Sequence, residues 1–380
     1  MPDARIIPIG QNPGGQKPGD DGSRPVSASK AARLAGATGS AAPARRRRAA
    51  SAASASRASE PGAAGAKGAS PTPAERRRAA AQLEDAVAQA SSTLAEAGDA
   101  GTSWDERVGE LLAFLRRRVT GDYEVDDFGF DPELTDSVLM APMRPLYRQW
   151  FRVEARGLEH VPDDGGALVV ANHSGTVAVD SVMTQLALLD EHPAHRHLRM
   201  LGANLVFSLP FVGEIARKGG HTLACAPDAE RLLRDGELVG VWPEGFKGIG
   251  KPFSERYKLQ RFGRGGFVSA ALRTGAPIIP TAIVGAEEIY PMIGNAKLLA
   301  RTFGLPYVPI TPTFPWLGPL GLVPLPSKWI IEFGEPMPTD QYDSGAADDP
   351  MLVFNLTDAV RETIQQTLYR LLVARRGVFR

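Results

Sequence analysis

A single cysteine, Cys225, stands in 380 residues, so an intrachain disulfide is excluded and the chain needs no oxidising compartment. Long apolar runs are missing too. Nowhere do about 18 consecutive apolar residues occur, the minimum for a helix through a bilayer, so any contact with a membrane is expected from its surface. The N-terminus, MPDARIIPIGQNPGG, lacks an apolar stretch long enough for a secretory signal. Net charge is absent as well: 43 basic residues balance 43 acidic ones, and whole-chain charge points to no particular partner. There is no Gly-x-Ser-x-Gly elbow, and Cys225 has no recognisable catalytic surroundings, which leaves serine or cysteine hydrolysis poorly supported.

Local composition is less even. Residues 1–73 are dominated by Ala, Ser, Gly, Pro and Arg, a mixture that cannot bury enough apolar surface to offset chain entropy, and they read as a disordered arm. Through Arg78 there are 14 basic residues against 5 acidic. The runs Arg45–Arg48 and Arg76–Arg78 are either a solvated charge block or an attractor for anionic lipid or nucleic acid. Residues 74–130 read as a helical extension. Within it Val108, Leu111, Leu112, Leu115 and Val119 make an apolar stripe at helical spacing, suited to docking on the core, the preferred reading, or on lipid, and Arg116–Arg118 close the last turn where cations suit the helix dipole.

From about Asp131 to the C-terminus short apolar runs alternate with amphipathic stretches. ALVVAN (167–172), RMLGA (199–203), ELVGVWP (237–243) and PIIPTAIVGA (277–286) read as strands. Helical patterns over 179–189, 265–275 and 353–374 separate or follow them. This rhythm predicts an α/β domain over 131–380, a mostly parallel central sheet flanked by helices.

The segment ANHSGTVAVD puts Asn172 and His173 at the carboxyl end of a buried strand, where open α/β sheets place their sites, with Asp180 in the first turns of the next helix. A carboxylate there can turn back to fix the imidazole and raise its basicity, as a general base requires; a structural hydrogen-bonding histidine is the competing reading. FVGEIARKGG supplies Gly213 and Arg217 in a turn-like setting. VWPEGFKGIGK ends a strand in Pro243, Glu244 and Gly245, with Lys247 and Lys251 after them, a carboxylate and two ammonium groups among glycines that suit a phosphate or polar head group, or else an ordinary capped turn.

Taken in order, these segments resemble the four blocks of the lysophosphatidic acid acyltransferase superfamily, the PlsC-like glycerolipid and phospholipid acyltransferases. Asn172, His173 and Asp180 match the first block, Gly213 and Arg217 the second, Pro243, Glu244 and Gly245 the third, and Ile279 with Pro280 the fourth. Six residues intervene between His173 and Asp180 where the family commonly has four, a spacing closer to the monoacylglycerol and diacylglycerol acyltransferase-like branch. Trp242 replaces the usual phenylalanine, and Lys247 stands where phosphate-using members often carry arginine, keeping charge but losing the bidentate fork.

The resemblance implies a glycerolipid acyltransferase fold and transfer of a fatty acyl group from acyl-CoA or acyl carrier protein to the hydroxyl of a lysophospholipid, monoacylglycerol or diacylglycerol. It implies His173 as base and Asp180 as its orienter, with Asn172, Gly213, Arg217, Glu244, Gly245 and Lys247 binding substrate. No cofactor is implied beyond the co-substrate. The expected setting is cytoplasmic, peripheral to the inner face of the cell membrane, with no nucleic acid partner. Activity is expected to fall as pH drops through the ordinary histidine range near 6.5. Two alternatives stand beside it: an inactive lipid-binding module on the same fold, and a nucleic-acid tether built on the arginine-rich arm.

Two further features remain. The proline-rich segment 308–329, with Trp316 and Trp329, reads as a membrane-contact or acyl-chain patch or as a hydrophobic loop packed on the domain. His192, His195 and His197 cluster beside Glu191, but Pro193 and a loop-like context give no defined ligand geometry, and no metal is expected.

Overall fold

The apolar runs pair as strands because each is short, rich in branched residues and bounded by Gly, Asn or Pro. In the computed structural model, which describes residues 102–343 and 345–379, these four runs and three further short strands that the apolar pattern did not mark form one sheet: β1 (Glu154–Arg156), β2 (Ala167–Ala171), β3 (Leu198–Gly202), β4 (His221–Leu223), β5 (Leu238–Val241), β6 (Ile278–Val284) and, after a two-stranded ribbon of β7 (Gly294–Asn295) and β8 (Pro309–Ile310), β9 (Ile330–Phe333). Their order is β1-β9-β6-β2-β5-β3-β4. All pairings are parallel except β6 with β9, so the sheet is mostly parallel, with helices on both faces. The expected disordered arm, and the part of the helical extension before residue 102, lie outside the described residues.

Along β2 the side chains divide between two cores. Leu168 and Val170 join the cluster made with Leu232, Val268 and the C-terminal helix, whereas Ala167, Val169 and Ala171 join the one made with Met183, Leu186 and Trp329. Every residue of β2 and β6 is buried, the signature of parallel strands covered on both sides.

The helices used below are α1 (Thr102–Thr120), α2 (Val179–Glu191), α3 (Asn204–Ser208), α4 (Val212–Lys218), α5 (Ala226–Arg234), α6 (Phe246–Ile249), α7 (Gly266–Thr274), α8 (Lys297–Phe303) and α9 (Pro350–Ala374). At the end of α1 two arginines do more than suit a dipole. Arg118 grips the fully buried Asp131 with both guanidinium nitrogens, and Arg117 Nε donates to Glu133 at 2.7 Å. The two tryptophans of segment 308–329 part company. Trp329 is buried, stacked on Phe151 with ring centres 4.7 Å apart, while Trp316 is 72% exposed. One is a packing residue and the other lies on the surface.

Candidate active site

Past Ala171, β2 stops pairing, and Asn172 takes over. Its side-chain amide donates to the Ile283 carbonyl at 3.0 Å and accepts from the Ile283 N–H at 2.7 Å, fully buried. The side chain thus extends the ladder to β6 by one step. Asn172, expected to bind substrate, has both amide ends occupied by main chain and positions the turn instead.

The turn carries His173, whose Nδ1 lies 2.8 Å from Asp180 Oδ2. Asp180 is fully buried in the first turn of α2. Oδ2 also accepts the Ser174 N–H at 2.8 Å, and Oδ1 accepts the Ser181 N–H at 2.9 Å. A carboxylate so surrounded by donors is an acceptor, so Nδ1 carries the hydrogen and the Nε2 lone pair is left for other work.

The six residues between histidine and aspartate are accommodated by two consecutive left-handed residues, Gly175 (φ 94°) and Thr176 (φ 66°). A Cβ on Gly175 would sit 2.8 Å from the Ala286 carbonyl oxygen, so only glycine fits. Threonine with positive φ is an outlier for a branched side chain. It is held from two sides: its Oγ1 donates to the Tyr290 carbonyl at 2.9 Å, and Tyr307 Oη donates to its own carbonyl. Burial first, and the charge of Asp180 second, push the Tyr307 hydroxyl above the usual tyrosine range, so it stays a donor.

Glu244 is the second anchor of the turn. It is 3% exposed; Oε1 accepts the His173 N–H at 2.9 Å and Oε2 accepts the Gln260 N–H at 2.6 Å. Lys251 Nζ lies 3.8 Å from Oε2, and it also meets Glu287 Oε1 at 2.9 Å. Burial raises the Glu244 carboxyl, with Lys251 and the two main-chain donors pulling it back. Burial likewise pushes Glu287 up to about 7. Expected to hold a head group, Glu244 instead ties His173 to the 251–260 loop. Gln365 of α9 fixes that loop in turn, through the Tyr257 carbonyl and the Leu259 N–H at 2.8 and 2.9 Å.

Gly245, at φ 54° and ψ −143°, occupies a region open only to glycine and turns the chain into α6. There Gly248 lies so close to His173 that a Cβ would come within 2.7 Å of the His173 carbonyl oxygen. Lys247, on the same helix, is exposed. The Trp242 ring lies 6.2 Å from the imidazole, and its Nε1, like Ser174 Oγ, is buried without a hydrogen-bond partner.

Gly213 and Arg217 do not form a turn; they belong to α4. Gly213 lets that helix touch α3, since a Cβ would meet the Phe207 carbonyl oxygen at 2.7 Å. The exposed Arg217 guanidinium lies over the Phe207 ring, 4.8 Å from its centre, and makes no hydrogen bond to His173, Asp180 or Glu244. The fourth-block residues Ile279 and Pro280 are buried inside β6.

Sequence reasoning missed Tyr307, Thr176, Gln260 and Glu287. Only Glu287 left a signal, as one of two acids directly after a buried strand. The clustered histidines serve packing: His192 and His195 face the Val161 and Leu189 carbonyls at 3.0 and 2.8 Å, and His197 sits edge-on to Phe130. Among the described residues no group of His, Cys, Asp and Glu side chains is arranged to hold a metal. A groove of about 740 Å³, lined by Arg156, His160, Met337, Thr363 and Arg370 among others, opens where β9 ends and β6 begins, at the sheet edge opposite His173.

The family model described as Acyltransferase matches residues 152–284, the stretch that contains Asn172, His173, Asp180 and Glu244. An uncharacterized protein of Mycobacterium tuberculosis is 59% identical over 305 residues, 80% of this chain and 82% of that protein. A human protein described as a DGAT1/2-independent enzyme synthesizing storage lipids is 27% identical over 174 residues, 44% of this chain and 51% of its own. Among solved structures, the 1-acyl-sn-glycerophosphate acyltransferase PlsC of Thermotoga maritima is similar at 19% identity and a TM-score of 0.42, over 65% of this chain and 85% of that one.

Proposed function

We propose that this chain, whose residues 152–284 match the family model described as Acyltransferase, transfers a fatty acyl group from the thioester of acyl-CoA or acyl carrier protein to the hydroxyl of a glycerolipid, with His173 as general base. The observation that carries this reading is the 2.8 Å contact of His173 Nδ1 with a buried Asp180 whose two oxygens are saturated by N–H donors. Nε2 takes the proton from the acceptor hydroxyl as its oxygen bonds to the thioester carbonyl carbon. Collapse of the tetrahedral adduct breaks the C–S bond, and the imidazolium returns the proton to the departing thiolate. The products are an ester and a free thiol, with no covalent enzyme intermediate.

Asn172 and Glu244 act by positioning, since their polar atoms are spent on main chain. Lys247, on the helix packed against His173, is the cation available to a phosphate or polar head group, with Arg217 farther along the same sheet edge. The acceptor class resides in membranes, and we extend the reading to an enzyme working peripherally at the inner face of the cell membrane. Among the described residues no helix is long and apolar enough to cross one.

The test is thiol release from a panel of acyl-CoAs with lysophosphatidic acid, other lysophospholipids, monoacylglycerol or diacylglycerol, for wild type and His173→Ala. Acceptor-dependent release that disappears in the variant is expected and names the substrate. Release that is independent of acceptor and equal in both proteins would overturn the proposal.

A further inference from the structure

Single exposed leucines on a protein surface need no explanation, whereas a cluster of them does. Of 25 exposed large apolar side chains among the described residues, 14 lie on the segments that leave the carboxyl ends of β2, β3, β5 and β6, the edge that carries His173. They include Phe211 at 82% exposure, Leu298 at 78%, and Trp316 and Leu320 at 72% each. Residues 289–327 contribute most of them. This excursion is fastened beside the turn by the Tyr290 and Tyr307 contacts to Thr176, so its exposed side chains are presented next to His173 rather than at a distance. Between Ile289 and Ser327 there is no Asp or Glu, and the only charges are the exposed Lys297 and Arg301. Lys247 of α6 adds positive charge beside it, as does Arg217 of α4, a helix that also carries the exposed Glu214.

We propose that this edge is a docking surface for a lipid bilayer containing anionic lipid, with Trp316, Leu320, Leu298 and Phe211 entering the interface and the lysines and arginines around them meeting phosphate. Aromatic and aliphatic side chains on irregular backbone, ringed by cations, match the interfacial layer in polarity and sign. A bilayer on this face sets the mouth of the His173 turn against the membrane, so a lipid hydroxyl reaches the imidazole without leaving the interface. The proposal rests on the acyl-transfer reading only for its purpose, not for its evidence.

The experiment is co-flotation of the full chain with vesicles of phosphatidylcholine, with or without phosphatidylglycerol, for wild type, Trp316→Ser/Leu320→Ser and Val138→Ser. Val138 is exposed too, but it lies in the segment whose Arg144 reaches Asp190 at the far end of α2. The expected result is tighter binding with phosphatidylglycerol, weakened by salt, and a loss of about tenfold or more for the double variant. Val138→Ser binds like wild type, and all three unfold at the same temperature. Double-variant binding equal to wild type would overturn the proposal. So would a wild-type dimer that the double variant dissociates without losing vesicle binding, because the face would then serve self-association. Thiol release by wild type in the same samples, supplied with acyl-CoAs and the panel of lysophospholipid, monoacylglycerol and diacylglycerol acceptors, separates the two readings: binding without release sinks acyl transfer alone, and release without binding sinks docking alone.

Discussion

Replacing Asp180 by asparagine keeps the shape of the side chain and removes its charge, and the surroundings make the consequence calculable. One oxygen of Asp180 accepts from both His173 Nδ1 and the Ser174 N–H, each at 2.8 Å, and the other accepts the Ser181 N–H at 2.9 Å. An asparagine has one acceptor and one NH2 to serve these two sides. If its oxygen faces Ser181, the NH2 faces the imidazole, which must then present an unprotonated Nδ1 and carry its hydrogen on Nε2, where a base needs a lone pair. If its oxygen faces His173, the NH2 meets the Ser181 N–H donor to donor. The first arrangement silences the base and turns the NH2 against the Ser174 N–H, so either one leaves a buried donor unpaired at about 1–3 kcal/mol. We expect acceptor-dependent thiol release to fall by roughly 10²–10⁴-fold, with the acceptor KM little changed. Unfolding in urea should report a loss of about 1–3 kcal/mol. Turnover within about threefold of wild type, in a fully folded variant, would refute the role of Asp180 as orienter, because the general-base contribution is on the order of 10²-fold or more.

Glu244→Ala removes the buried acceptor of two part-buried N–H groups, those of His173 and Gln260, and is expected to destabilise the protein by roughly 1–3 kcal/mol while lowering turnover; a loss under about 0.5 kcal/mol, typical of an exposed site, would show that Glu244 holds nothing. Glu287 carries the pH signature. A carboxyl whose folded value, about 7, exceeds its ordinary 4.5 binds its proton more tightly in the folded state. Its contribution is therefore full below pH 4.5 and lost as pH rises to about 7, an effect on the order of 3 kcal/mol. Urea unfolding at acidic and mildly alkaline pH should show wild type losing roughly 2–3 kcal/mol more than Glu287→Gln, and parallel losses would dismiss the idea.

Much of the architecture was legible in the sequence because it is written in local terms. A strand buried on both faces must be apolar throughout, and a helix covering it must repeat its apolar residues at helical spacing; 167–172, 179–189, 265–275 and 353–374 obey these rules, and β2, α2, α7 and α9 follow. Residues 211–220 were harder. The glycine that suggests a turn is there so that α4 can lie against Phe207, a close approach between two helices that no spacing within the segment announces.

The candidate site divides the same way. His173 at a strand end, with an acid a few residues on, is a pattern in one dimension. What Asn172 and Glu244 do is not, because each looks like a polar group available to a ligand until its partners are known, and those partners, Ile283 and Gln260, lie 111 and 16 residues away. The backbone donors of a tight turn must be paired once buried, and only the packed chain decides which side chains are spent on that task and which remain for substrate. The exposed apolar edge has the same origin. The sequence marked 308–329 as apolar, but tertiary structure buried Trp329, exposed Trp316 and gathered Phe211 and Leu298 to the same side, because burial is a property of what covers a residue and not of the residue itself.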